Sequence, residues 1–301
     1  MVETIKANNM ILIAGGDGQL GRSLKITAKA RSFSSVSLNR HELDITDKTS
    51  VSEVIKSLKP NLVVNCAAWT NVDEAENYPE RATEVNAYGA LNLAEACKSV
   101  GARFFQISTD YVFSGNKQTP WGENDAKSPI SSYGLSKSLG EELVLNAYSQ
   151  NAFIIRTAWL YGLEGNNFLT KILQKIESGD TKLKMVDDQI GQPTLASDLA
   201  ARILDMSNIK LNSQIYHATN TGQASWFEFA SRIFSLRNQS TEYISAIQTK
   251  DYETVAKRPV FSVLGQSAWI DSGLSPMREW GEALNEVLRK PISVKEDLDE
   301  N

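Results

Sequence analysis

A Rossmann-type, doubly wound α/β sheet is the fold the sequence predicts, and three observations predict it. An apolar run, Met10 to Ala14, leads directly into Gly15-x-x-Gly18-x-x-Gly21 and a helical segment. Apolar strands and helical segments then alternate as far as Ala158, the pattern of a parallel sheet covered by helices. Finally, Tyr133 and Lys137 lie four residues apart in a helical segment, so both side chains project from one face.

Taken in order, Met10 to Ala14 has no polar residue and reads as a strand buried on both faces. The glycines after it allow a tight turn and a close backbone approach to a pyrophosphate at a helix N-terminus. Gly15, Asp17, Gly18, Gln19 and Leu20 are therefore the expected phosphate-side contacts of a dinucleotide. A second strand ends near Leu38, where an acid for the ribose hydroxyls is expected. Asn39-Arg40 stands there instead. A guanidinium suits a 2'-phosphate and favours NADPH, with NADH still open; otherwise Arg40 simply starts a solvated loop. Asp44 and Ile45 follow within reach of an adenine.

Leu62 to Ala68 is the next buried strand. Small residues at its end, Cys66, Ala67 and Ala68, with Thr70 beyond, let a cofactor pass close over the sheet edge. Ala82 to Val100 reads as a helix stopped by Gly101. Arg103 to Ile107 is a strand ending in Ser108-Thr109-Asp110. Ligands of open α/β sheets bind outside such carboxyl ends, which positions Thr109 to donate to a bound carbonyl. Tyr133 to Gln150 is helical, and Ala152 to Ala158 is a further strand. An ammonium fixed beside a phenol of pKa about 10 lowers that pKa. Tyr133 is thus expected to exchange a proton with a carbonyl or alcohol oxygen near neutral pH, with Lys137 as its partner.

Beyond Trp159 the pattern loosens. Phe168 to Glu177 reads as a helix, Lys182 to Val186 as a strand, and Asp187 to Thr194 as a polar loop. Ser197 or Asp198 is the expected cap of the next helix. A strand at Ile215 to Thr219 and helices at Trp226 to Phe234 and Met277 to Leu288 complete the chain. Residues 1–158 form the expected dinucleotide-binding domain, rejoined by segments near 183–220. Residues 159–301 form mainly a substrate-binding lobe, interleaved with it.

Composition narrows the function. A net charge of -5 gives no basic field for nucleic acid. Two cysteines, Cys66 and Cys97, and two histidines, His41 and His217, make neither a disulfide scaffold nor a histidine-rich metal centre. Both thiols are expected to be buried and inert. Met1 to Asn9 lacks the apolar run of a signal peptide, and no apolar stretch is long enough to span a membrane. Cytoplasm is the expected address, and Ser293 to Asn301 the expected frayed tail.

The glycine loop, Thr109 at a strand end, and Tyr133/Lys137 together resemble the extended short-chain dehydrogenase/reductases. A finer resemblance, to the dTDP-4-dehydrorhamnose reductases, rests on stretches in matching order. They include Asn65 to Asp73, Ser108 to Phe113, Arg156 to Trp159, Gly165 to Phe168, Asp188 to Thr194, and Arg258-Pro259. It implies hydride transfer from NAD(P)H to C4 of a dTDP-6-deoxy-4-ketohexose. Tyr133 would be the acid; Lys137 would tune it and bind the nicotinamide ribose; Thr109 would hold the keto oxygen. Trp159 would lie over the sugar and Asp110 would face it, with Asn167 and Arg258 near the phosphates. Charge and hydropathy lead to the expectation of no nucleic-acid or membrane partner, and the resemblance adds a homodimer as the expected assembly. Tyr111 stands where related dehydratases carry an acid, which argues for plain reduction. Ala268 stands where a lysine is expected, and no metal site is implied by any acidic cluster. Two alternatives stay open: reduction of another nucleotide 4-keto-6-deoxy sugar, or a non-catalytic NADP-binding subunit resembling the beta subunit of methionine adenosyltransferase.

Overall fold

Six parallel strands make the central sheet of this computed structural model, which describes residues 10–179 and 182–289. The expectations for Met1–Asn9 and Ser293–Asn301 lie outside the described residues. The chain runs β1 (Ile11–Ala14), α1 (Gln19–Ala30), β2 (Ser35–Leu38), α2 (Lys48–Leu58) and β3 (Leu62–Asn65). It continues through α3 (Val72–Asn77), α4 (Pro79–Thr83), a π-helical turn (Glu84–Gly89), α5 (Ala90–Val100) and β4 (Arg103–Thr109). Next come α6 (Ser132–Tyr148), β5 (Ala152–Thr157), β6 (Leu160–Tyr161), α7 (Phe168–Glu177) and β7 (Leu183–Val186). The remainder is β8 (Ile190–Gly191), β9 (Thr194–Leu195), α8 (Ala196–Ser207), β10 (Ile215–His217), β11 (Ala224–Ser225), α9 (Trp226–Leu236), β12 (Ile244–Ile247), α10 (Ser267–Asp271) and α11 (Trp280–Arg289).

The sheet order is β10-β5-β4-β3-β1-β2. The chain winds outward from β1 in one direction and, from β3 on, in the other. The switch therefore falls between β1 and β3, where a ligand crevice opens in such sheets. Alternate residues of β1 explain its uniform apolarity: Ile11 and Ile13 enter one core with Leu20, Leu24 and Leu199, while Leu12 and Ala14 enter another with Leu93 and Val144. Each large aliphatic side chain so buried stabilises the fold by about 1.5–3 kcal/mol.

Local chemistry sets the helix limits. Asp47 caps α2 by accepting from the Thr49 and Ser50 N–H groups. Gly101, at φ 74°, ends α5 as expected. The helix expected from Ala82 begins earlier, because Pro79 supplies a favourable first residue. It also relaxes into the π turn, where a Cβ on Gly89 would meet the Ile45 side chain at 2.7 Å. Opposite this turn, a Cβ on Gly140 of α6 would stand 2.3 Å from the Asn86 carbonyl oxygen, so only glycine lets the two helices approach. Ser197 and Asp198 do not cap α8. That helix starts at Ala196, the Leu195 N–H is taken by Asn220 Oδ1, and Asp198 pairs with Arg278.

The second lobe has its own core of Leu169, Ile172, Phe229, Phe234 and Leu284 around the parallel pair β7–β12. The stretch Asp187 to Thr194, expected as a loop, contains β8 and β9, which pair with β11 and β6. The return to the sheet is narrower than 183–220. Leu183–Val186 stays in the lobe, whereas α8 packs on α1 and β10 adds to β5. No helix among the described residues is long and apolar enough to cross a membrane.

Candidate active site

The carboxyl ends of β1, β3, β4 and β5 open into one groove. A cavity of about 230 Å³ at its outer end and one of about 570 Å³ at its inner end share Asp17, Gly18, Cys66, Ala67 and Ala68. The outer end also meets Gly15, Arg40, Asp44 and Ile45. The inner end meets Gln19, Leu20, Thr70, Thr109, Asp110, Tyr133, Lys137, Trp159 and Asn167. Two expected residues are not on its wall. Asn39 turns its Oδ1 back to accept from the His41 and Glu42 N–H groups. Arg258 pairs with Asp73 at 2.7 Å and donates to the Ala256 carbonyl.

The groove's chemistry fits a dinucleotide. Gly15 sits at φ 78°, and a Cβ there would come within 2.5 Å of the Ala67 nitrogen. A Cβ on Gly21 would stand 2.3 Å from the Gly15 carbonyl oxygen. The bare backbone therefore brings the N-terminus of α1 up to the groove. No side chain caps that end, which leaves its first N–H donors for an anion. Gln19 Nε2 is buried there without a partner. Arg40, its side chain 77% exposed, lies 3.8 Å from Asp44 at the outer end. Cys66 both packs against the sheet core and lines the groove, and burial pushes its thiol up to about 12.

At the inner end, Lys137 is buried and donates to the Ile107 carbonyl at 2.6 Å. Burial pulls its ammonium down to about 8, with Glu141 and Cys66 pulling the other way. The Tyr133 phenol is pushed up to about 12, first by burial and also by Asp110, with the Thr109 hydroxyl opposing. The Tyr133 pKa therefore stands above its ordinary value and not below it as expected: burial outweighs the help of the ammonium, which donates to the Ile107 carbonyl. Thr109 Oγ1 donates to Asp110 Oδ1 at 3.0 Å and accepts from the Tyr111 N–H at 3.2 Å. The Tyr111 ring stands edge-on to Tyr133 with centroids 5.6 Å apart.

Trp159 adopts φ 44°, a conformation that costs a non-glycine residue free energy. It stacks on Trp226 at 3.5 Å and 4°. Gly191 is required beside it, since a Cβ there would lie 2.4 Å from the indole. Trp226 in turn donates to Gln189, which bonds Thr249. Asn167 is a helix cap: its Oδ1 accepts from Thr170, and its amide donates to the Gly162 and Glu164 carbonyls. Its spacing to Thr170 carried that signal. Tyr111, Thr157 and Trp226 line the groove without having been expected. Nothing local marks Trp226, which reaches Trp159 only through the fold.

The family model described as the RmlD substrate binding domain matches residues 9–292. A dTDP-4-dehydrorhamnose reductase of Streptomyces griseus is 41% identical over 279 residues, 91% of each chain. A dTDP-4-keto-6-deoxy-D-glucose reductase of Streptomyces niveus is 38% identical, covering 92% of this chain and 95% of that one. The solved dTDP-4-dehydrorhamnose reductase of Bacillus anthracis, in complex with NADP, matches with a TM-score of 0.88 at 34% identity, covering 94% of this chain and 99% of that one. Similarity that runs through both the sheet and the lobe makes this chain a member of the RmlD family.

Proposed function

We propose that this chain reduces the C4 keto group of dTDP-4-dehydro-L-rhamnose to dTDP-L-rhamnose, with NADPH as reductant. The observation that carries the reading is the meeting of Thr109, Tyr133 and Lys137 at the inner end of a groove built for a dinucleotide. The names of the relatives supply the substrate class.

A reduced nicotinamide bound in the groove supplies the hydride. The chain's own residues do the rest. Tyr133 gives its Oη proton to the C4 oxygen. A phenol pushed up to about 12 keeps that proton at neutral pH, the state an acid requires. Lys137, anchored on the Ile107 carbonyl, presents its ammonium to the ribose hydroxyls. Thr109 holds the C4 oxygen. The Trp159–Trp226 stack forms an apolar wall against the sugar and excludes water. The exposed Arg40 guanidinium meets a 2'-phosphate, the basis for NADPH over NADH. Asn167, on the groove wall, and Arg258, whose guanidinium is paired with Asp73, are assigned to the nucleotide-sugar phosphates as part of this reading.

The test is oxidation of NADPH and NADH by the purified protein with dTDP-4-keto-6-deoxyglucose, with and without a 3,5-epimerase. Turnover only with the epimerase establishes the rhamnose-forming step, and turnover without it reassigns the sugar. Tyr133→Phe should retain cofactor affinity and lose about 10²–10⁴-fold in kcat. Undiminished turnover in that variant removes Tyr133 from the proton-donor role.

A further inference from the structure

We propose that Asp110 sets the direction of the Thr109 hydroxyl hydrogen, so that Thr109 donates to the substrate's C4 oxygen only while Asp110 carries a proton. The inference rests on the function proposed above and adds a positioning residue to it.

A threonine hydroxyl has a single donor hydrogen and two acceptor sites. In Thr109 the Tyr111 N–H occupies one acceptor site at 3.2 Å, and two acceptors compete for the single hydrogen: Asp110 Oδ1 at 3.0 Å and the neighbouring Tyr133 phenol oxygen. An ionised carboxylate only accepts, and it holds such a donor strongly. What Thr109 then offers the groove is a lone pair, which cannot hold a carbonyl oxygen. A protonated Asp110 reverses the bond: its own O–H donates to Thr109 Oγ1, and the threonine hydrogen is released toward the groove. The proton stays on Asp110 throughout. The proton that leaves is the one Tyr133 transfers to the C4 oxygen.

A second observation favours the protonated form. Asp110 is 2% exposed, lines the groove, and its Oδ2 has no hydrogen-bond partner. A bare, buried carboxylate oxygen is costly, and protonation relieves the cost. Burial accordingly pushes this acid up to about 6, against the hydroxyls of Ser262 and Thr109 and the Tyr111 backbone. The titratable groups facing it are Tyr133 from α6 and Tyr111 from its own turn, and both are pushed up by its charge. Arg258 and Asp73 act on Tyr111, while the Lys137 ammonium is turned to Ile107.

Two measurements test the coupling. In the first, kcat/KM for the nucleotide sugar is followed from pH 5 to pH 9. The wild type should fall about tenfold per pH unit above the ionisation of Asp110, and this limb should vanish in Asp110→Asn, whose amide can donate to Thr109 at every pH. The same limb in both proteins overturns the proposal. The second needs neither substrate nor cofactor: carboxyl NMR of 13C-labelled aspartate, with the Asp110 signal identified by its loss in Asp110→Asn. Thr109→Val removes the hydrogen bond to the ionised form and should raise the titration midpoint of Asp110. An unmoved midpoint overturns the coupling even if activity is as proposed. A raised midpoint in a protein that reduces no nucleotide sugar supports the coupling and sinks the functional reading instead.

Discussion

Ser108 and Thr109 are neighbours on β4, yet they enter two buried polar clusters that differ in one respect. In the cluster of Ser108 the polar groups are matched. Glu141 accepts from Ser108 Oγ at 2.6 Å and from Arg156 at 2.8 and 2.7 Å, with both members of the ion pair 1% exposed. Arg156 also reaches the Glu123 carbonyl and His217 Nε2. Since an arginine only donates, Nε2 must be the accepting nitrogen, and Nδ1–H donates to the Gly265 carbonyl at 2.8 Å. The Glu123 carboxylate takes Ser267 Oγ and the Ala268 N–H. In the cluster of Thr109, Asp110 Oδ2, Thr157 Oγ1 and Gln19 Nε2 have no partner. Both clusters are buried and charged. The matched one ties β4, β5, β10 and α6 together; the unmatched one keeps donors and acceptors for something that enters the groove. Between these two clusters, unsatisfied atoms separate site from scaffold where burial and charge do not, although Tyr161 Oη, Ser231 Oγ and Gln266 Oε1 are also unpartnered away from the groove.

The largest test breaks the matched cluster. Arg156→Met leaves Glu141 with only Ser108 and a 3.4 Å approach from Lys127. Stability should fall by about 3–5 kcal/mol, read from the urea midpoint. Adding Glu141→Gln should recover most of that loss, because the cost lies in the stranded charge and not in the missing bond. A loss below about 1 kcal/mol for Arg156→Met would mean the cluster does not hold these strands.

A second effect, spread over several pH units, comes from His217. Burial and the adjacent Arg156 push its imidazole down to about 3. The unfolded chain takes up this proton near pH 6.5. Between these values the unfolded state binds more protons than the folded one, so stability is lost as pH falls from about 6.5 toward 3. The slope is about 1.4 kcal/mol per pH unit for one proton. His217→Gln should flatten the profile over that window by about one proton's slope. An unchanged slope would assign the acid sensitivity to the carboxylates.

These contrasts also mark what the sequence could reveal. The apolar run of β1, the glycines after it, Gly101, and the Tyr133/Lys137 spacing are local signals, because each expresses backbone conformation or helix periodicity within a few residues. They yield the sheet, the groove's position and most of its wall. What stayed hidden depends on residues that meet only after folding. Arg258 looks free until Asp73 reaches it, and α8 lacks a local cap because Asn220 supplies the acceptor. Trp226 reads as an ordinary first residue of α9 until it lies on Trp159. The Tyr133 pKa departs from its local spacing for the same reason. Spacing puts Lys137 on the right face, but the fold turns its ammonium to Ile107 and buries the phenol.

The smallest effect is the sharpest test of the comparison. Thr157 closes β5 at the groove, and its Oγ1 is buried without a partner. Valine has the same shape with a methyl in place of the hydroxyl. If that hydroxyl belongs to the site and not to the fold, Thr157→Val removes a desolvated group that gains nothing in the free protein. Stability should then rise by about 1 kcal/mol, while KM for the nucleotide sugar rises. Ser108→Ala, the mirror change in the matched cluster, removes a hydrogen bond to a charged acceptor and should cost about 1.5–3 kcal/mol. Opposite signs of stability change at two hydroxyls near the same sheet edge would show that the protein leaves Thr157 unsatisfied for a ligand. A loss of more than about 1 kcal/mol for Thr157→Val would move it to the scaffold.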